Sequence, residues 1–148
     1  MKIIATNKKA SHDYFLLDKY ECGIVLKGTE IKSIRANKVN IVDSYARVKG
    51  TEIFLVNMHI SKYDQGNQFN HDETRSRKLL LHKKQIIRLI NKMNRDGLTL
   101  IPTKVYLERG LCKIELSLAK GKKNYDKRQS LKEKDALRRA EQTLKERY

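Results

Sequence analysis

Short apolar runs, each cut by charge or glycine, mark the first third of the chain. Tyr14-Phe15-Leu16-Leu17 and Gly23-Ile24-Val25-Leu26 are too short for core helices, so each predicts a strand. After Gly28 the period changes. Ile31 and Ile34 stand three apart among Glu30, Lys32, Ser33 and Arg35, the spacing of a short helix with one buried face, and Asn37 near its end tolerates a left-handed exit. Apolar and polar residues mix from Ile41 to Val48, Lys49-Gly50 reads as a turn, and Thr51 to Ile60 reads as extended. Strict alternation there puts Phe54, Val56 and Met58 on one side and Ile53, Leu55 and Asn57 on the other, as in a strand covered on both faces.

Residues 61–77 are polar and turn-like, and irregular stretches of that length are usually functional or disordered. Leu79-Leu80-Leu81 then leads into the strongest helical signal, with Ile86, Ile87, Leu89, Ile90 and Met93 in one stripe and Asp96-Gly97 as its stop. A hairpin follows. Leu98 to Leu107 is extended with Pro102 marking an edge, bend or bulge, Glu108-Arg109-Gly110 turns the chain, and Ile114, Leu116 and Leu118 alternate with Lys113, Glu115 and Ser117. Five or six short strands with two inserted helices predict a mostly β fold with accessory helices. A small antiparallel oligonucleotide-binding (OB-like) barrel is the leading architecture, because closure removes exposed sheet edges.

Beyond Ala119 the pattern thins to Leu137, Ala140, Leu144 and Tyr148 at three- and four-residue spacing. The chain therefore divides into a body, residues 1–119, and a C-terminal tail, residues 120–148, expected to be disordered alone and helical on an anionic surface. Charge sharpens that division. The 148 residues carry 33 lysines and arginines against 17 acids, a formal charge of +16. The tail alone holds 11 basic and 5 acidic side chains. Such a surplus repels itself and is relieved by a polyanion, so nucleic acid is the expected partner.

The remaining composition mostly excludes. Cys22 and Cys112 form no metal-ligand spacing and read as small core residues, while the N-terminus lacks the apolar stretch of a signal peptide and no run is long enough to span a membrane. A reduced, cytoplasmic protein is expected. His12-Asp13 and His71-Asp72 are the only pairs resembling metal-hydrolase ligands, and neither HExxH, a third acid cluster nor a nucleophile motif accompanies them. The expectation is a binding protein and not an enzyme, with no metal and no small-molecule cofactor.

Several blocks resemble one family in order along the chain: Asn7-Lys8-Lys9-Ala10, His12-Asp13-Tyr14, Gly28 to Arg35, Asn40-Ile41-Val42-Asp43-Ser44-Tyr45, Asn70-His71-Asp72, Arg77 to Lys83, and Gly121 to Arg128. They are similar to the signature blocks of the SsrA-binding protein (small protein B) family. Ala36-Asn37-Lys38 stands where many relatives have Ala-Gly-Lys. The resemblance implies an oligonucleotide-binding barrel whose body binds the transfer-RNA-like domain of transfer-messenger RNA and brings it to stalled ribosomes for trans-translation. It also implies a basic tail lying in the empty messenger channel near the decoding centre of the small subunit, with one protein per RNA.

On this reading the RNA-binding candidates are Asn7, Lys8, Lys9, Glu30, Lys32, Arg35, Asn70, His71, Arg75, Arg77 and Lys78. Glu30 stands at a glutamate that the family implicates in RNA binding. A carboxylate near a polyanion helps only by ordering a base or a cation, so its expected role is an orienter beside Lys32 and Arg35. Tyr63, Phe69 and His71 offer stacking surfaces. The ribosome-binding candidates are Lys120, Lys122, Lys123, Tyr125, Asp126, Lys127, Arg128, Leu137, Arg138 and Leu144, with Tyr125 between cation pairs the most suggestive of base stacking. A general single-strand binder and a structural ribosomal protein fit the composition as well.

Overall fold

A computed structural model describes residues 1–63 and 70–122. In chain order the elements are β1 (Lys2–Thr6), α1 (Lys8–Asp13), β2 (Tyr14–Ile24), α2 (Gly28–Arg35), β3 (Val39–Asn40), β4 (Tyr45–Lys49), β5 (Glu52–Val56), β6 (His59–Ile60), β7 (Arg77–Leu80), α3 (Lys83–Asp96), β8 (Thr99–Glu108) and β9 (Leu111–Gly121). The fold is mostly β with accessory helices, as the apolar pattern predicts. Antiparallel pairings run β8-β4-β5-β7-β2-β9 and return from β9 to β8, with β1 added beside β8 and β3 paired with β6 in a separate ribbon. The circuit is thinnest at β4–β8, where the register pair is Ala46 with Leu100.

Its inward face carries Ile53, Leu55, Leu79, Leu100, Val105, Ile114 and Leu116, all essentially inaccessible. α3 closes over this core with Ile86 and Leu89 buried and Ile90 and Met93 packed behind them, then stops at Gly97 in the left-handed region, φ 64°. Gly50 and Asn37 adopt positive φ where a turn and a helix exit were expected, and the β8–β9 register slips between Pro102 and Lys104. No helix among the described residues is long and apolar enough to cross a membrane.

Four local expectations change. The two strands read over 14–26 are one long β2, because Lys19 and Glu21 are its solvent face and not a gap; a register shift between Leu16 and Lys19 absorbs the irregularity. β1 and α1 were not expected. α1 buries only Ala10, so it has no apolar stripe to read. Between Ile41 and Val48 the chain is first a turn, in which the Ser44 N–H donates to the Ile41 carbonyl, and β4 begins only at Tyr45. The extended run after Thr51 breaks at Asn57, φ 63°, which shifts the alternation so that Met58 is buried with Ile53 and Leu55 and not opposite them.

Candidate nucleic-acid interface

Asn7 precedes two exposed lysines and is itself buried. Its Oδ1 accepts from the Ala10 N–H at 3.1 Å and caps α1, while its Nδ2 donates to the carbonyls of Ile41 at 3.3 Å and Pro102 at 3.1 Å. Three segments distant in sequence meet on one side chain, and its consequence is placement. Lys8 and Lys9 project from a fixed corner beside a cleft of about 290 Å³ lined by Asn7, Lys9, Tyr14, Asp43, Ser44 and Tyr45. Lys9 keeps only a distant, exposed pairing with Asp43 at 4.0 Å.

The second cluster is built around Glu30. This carboxylate lies in the first turn of α2, wholly inaccessible, and accepts from the Lys27 N–H at 2.7 Å. Arg75 reaches it through Nε at 3.0 Å and Nη2 at 2.5 Å, and Arg77, equally inaccessible, donates to it through Nε. Arg77 also donates to the carbonyls of Met58, Asp72 and Glu73. Burial alone would raise the carboxyl pKa of Glu30, but the hydrogen bonds from Arg75, the Lys27 N–H and Arg77 outweigh it and hold the group below its ordinary value. Glu30 does order cations, as expected, yet its partners are Arg75 and Arg77 and not Lys32 and Arg35. Those two are exposed on the same helix, whereas Glu30 is buried.

His71 is buried beside the same network. Its Nε2 lies 2.8 Å from the Ile60 carbonyl and its Nδ1 2.9 Å from the Thr29 hydroxyl, an arrangement that the neutral Nε2–H tautomer satisfies at both ends. Its ring therefore serves the interior and presents no stacking face. The Asn70 side chain bonds the backbone of Tyr63 at both N–H and C=O, and the Lys32 ammonium lies 5.3 Å from the centre of the Tyr63 ring. Asn70 and Tyr63 are thus tied to each other beside Lys32 of α2. Lys78 is half-exposed and pairs with Glu52 at 2.9 Å.

A groove of about 340 Å³ escaped the sequence reading. Gly23, Ile24, Leu26, Leu80, Leu111 and Lys113 line it, and Leu80 and Leu111 are 50% and 61% exposed at its rim. Lys113 stands 3.8 Å from Glu21, whose other oxygen accepts from the Tyr106 hydroxyl at 2.5 Å. The residues come from β2 and the segment after it, β7 and the start of β9, so only the folded register gathers them. An apolar concavity with a cationic edge can take the faces of sugars and bases while the cation meets phosphate.

At the tail's root, Lys120 lies in β9 opposite Phe15. Lys122 donates through Nζ to the Ser11 carbonyl at 3.0 Å and lies 5.2 Å from the centre of the Phe15 ring. Phe69, Lys123, Tyr125, Asp126, Lys127, Arg128, Leu137, Arg138 and Leu144 lie outside the described residues. The two His-Asp pairs do not converge. His12 bonds its own neighbour Asp13 at 3.0 Å, His71 is committed as above, and among the described residues no three His, Cys, Asp or Glu side chains group as metal ligands. Cys22 and Cys112 are free and buried, and burial pushes both thiols up to about 12.

A family model described as SmpB protein matches residues 4–146. The SsrA-binding protein of Shouchella clausii is 58% identical over 146 residues, covering 99% of this chain and 94% of that one. The SsrA-binding protein of Carboxydothermus hydrogenoformans is 57% identical over 147 residues and covers 99% of each. Among solved structures, a chain from "tmRNA-SmpB: a journey to the center of the bacterial ribosome" superposes with a TM-score of 0.68 at 48% identity, over 82% of this chain and 85% of that chain.

Proposed function

The chain belongs to the SmpB family, and from that premise we propose that it is an RNA-binding adaptor, without enzymatic activity, that binds the transfer-RNA-like domain of transfer-messenger RNA and carries it to stalled ribosomes for trans-translation. The observation that carries this reading is a match to the family over nearly the whole chain, including its basic C-terminal residues. The fold supplies a physical route to the same end. The closed circuit of pairings is read as a small OB-like barrel, which holds cationic corners at fixed separations.

In this account the body's residues divide by burial and by hydrogen-bond commitment. Lys8, Lys9, Lys32, Arg35 and Lys78, with Asn70 and the apolar groove, meet RNA through phosphate, sugar and shape, because duplex RNA offers side chains little sequence to read. The buried Asn7, Glu30, His71 and Arg77 act behind them, with the partly exposed Arg75 bonded to Glu30. Their contribution is to hold the contact residues in place.

The tail, residues 120–148, is the second functional part. Its cations, with Tyr125 between Lys123 and Lys127-Arg128, track the vacant messenger channel along small-subunit ribosomal RNA, and occupation of that channel is possible only when messenger is absent. One protein serves each RNA. The test is to sequence the RNA that copurifies with tagged protein. One dominant structured RNA carrying a transfer-RNA-like end is expected; a broad mixture of single-stranded RNAs, or ribosomal RNA alone, would overturn the assignment.

A further inference from the structure

β9 carries the chain past the core and along the beginning of β2: Ala119 lies opposite Leu16, Lys120 opposite Phe15 and Gly121 opposite Tyr14. The next residue, Lys122, is held twice. Its ammonium donates to the carbonyl of Ser11 at 3.0 Å and sits 5.2 Å from the centre of the Phe15 ring. Ser11 is in the last turn of α1, where carbonyls lack intrahelical donors, so a cationic donor is favoured there. Phe15 is 42% exposed, which leaves its ring face open to the cation above it.

We propose that the Ser11 carbonyl and the Phe15 ring form a seat for Lys122 that fixes the direction in which the C-terminal residues leave the body, which makes Phe15 a positioning residue for engagement of the ribosome. The inference rests on the reading that the tail works on the ribosome. A chain leaving a rigid strand through a free residue samples a wide cone of directions, and only a fraction of them leads into a narrow channel. Seating Lys122 removes part of that orientational freedom beforehand and raises the competent fraction, so the apparent affinity for the stalled ribosome rises while the later chemistry is untouched. A seated Lys122 belongs to the body's surface and is not an independent phosphate contact.

The test uses the full chain bound to transfer-messenger RNA, with peptide tagging on stalled ribosomes as the readout. Phe15→Leu is expected to raise the complex concentration giving half-maximal tagging by roughly threefold to fivefold, the worth of one exposed cation–π contact, with the maximal rate and the affinity for transfer-messenger RNA unchanged. Phe15→Trp restores the parent value, because indole is the better cation acceptor. Lys122→Met gives a shift of similar size, and Phe15→Leu with Lys122→Met is no worse than Lys122→Met alone. Three results would overturn the seat: a parental half-maximal concentration for Phe15→Leu, a defect that Phe15→Trp does not repair, or additive effects of the two substitutions, which would make Lys122 an RNA contact in its own right. A chain ended after Lys122 separates the two levels. Normal tagging by that chain refutes the tail's role itself, whereas absent tagging with a parental Phe15→Leu refutes the seat alone.

Discussion

Glu30→Ala (E30A) removes the carboxylate from a site with no accessible surface and leaves Arg77, also inaccessible, with a buried charge and without the carboxylate it is bonded to. Removing one member of a buried ion pair costs about 3–5 kcal/mol, chiefly through the charge left behind. That is a large share of the roughly 5–15 kcal/mol that holds a domain folded. At about 4 °C per kcal/mol for a body of this size, the expected drop in Tm is about 10–20 °C. Urea unfolding followed by circular dichroism measures the loss of free energy directly, as a lower midpoint with an unchanged slope. The control is Glu30→Met with Arg77→Met. Replacing the pair by apolar groups of similar volume restores part of the loss, although Arg75 remains without its partner. An exposed helix acid would change stability by no more than about 0.5 kcal/mol, so a value that small for E30A refutes the claim that this carboxylate ties residues 70–77 to α2.

The same carboxylate gives a pH dependence: its folded pKa lies below its unfolded one, so its stabilisation is complete above the unfolded value near 4.5 and fades as pH falls through the folded value. A urea midpoint that does not fall between pH 5 and pH 3 more steeply in the parent than in Glu30→Gln contradicts this. Neutralising Lys8 and Lys9 together should weaken binding to transfer-messenger RNA and reduce the slope of log K against log salt by about 0.7–0.9 for each phosphate no longer neutralised; an unchanged slope removes that corner from the interface. Both thiols, raised to about 12 by burial, should resist iodoacetamide at pH 7.5 in native protein and react fully in urea, and rapid native labelling would show that the core opens there.

What the sequence disclosed was what repeats locally. α3 declared itself by an apolar stripe, all of it turned to the core except the exposed Ile87, and a glycine stop, and β9 by alternation, which matches its burial as far as Leu116 before both faces are covered. α1 has a single buried residue and depends on Asn7 bonds to Ile41 and Pro102, which no local window contains. Asn57 hid in an apparently regular run, since one left-handed residue reverses the alternation without altering the composition. The site followed the same rule. Lysines at the surface were found because charge is visible in composition, whereas the partners of Glu30 stand 45 and 47 positions away, and the groove between Leu80, Leu111 and Gly23 exists only once β2, β7 and the start of β9 are brought together.

The central claim is that one cationic chain grips two RNAs with separate parts, and ending it after Lys122 while assaying one preparation in two ways tests this most directly. β9 and its pairing with β2 stay intact in such a protein. The account predicts near-parental affinity for transfer-messenger RNA, within about threefold, together with loss of peptide tagging on stalled ribosomes. Tagging at the parental rate, or a fall in RNA affinity as large as the fall in tagging, would contradict it.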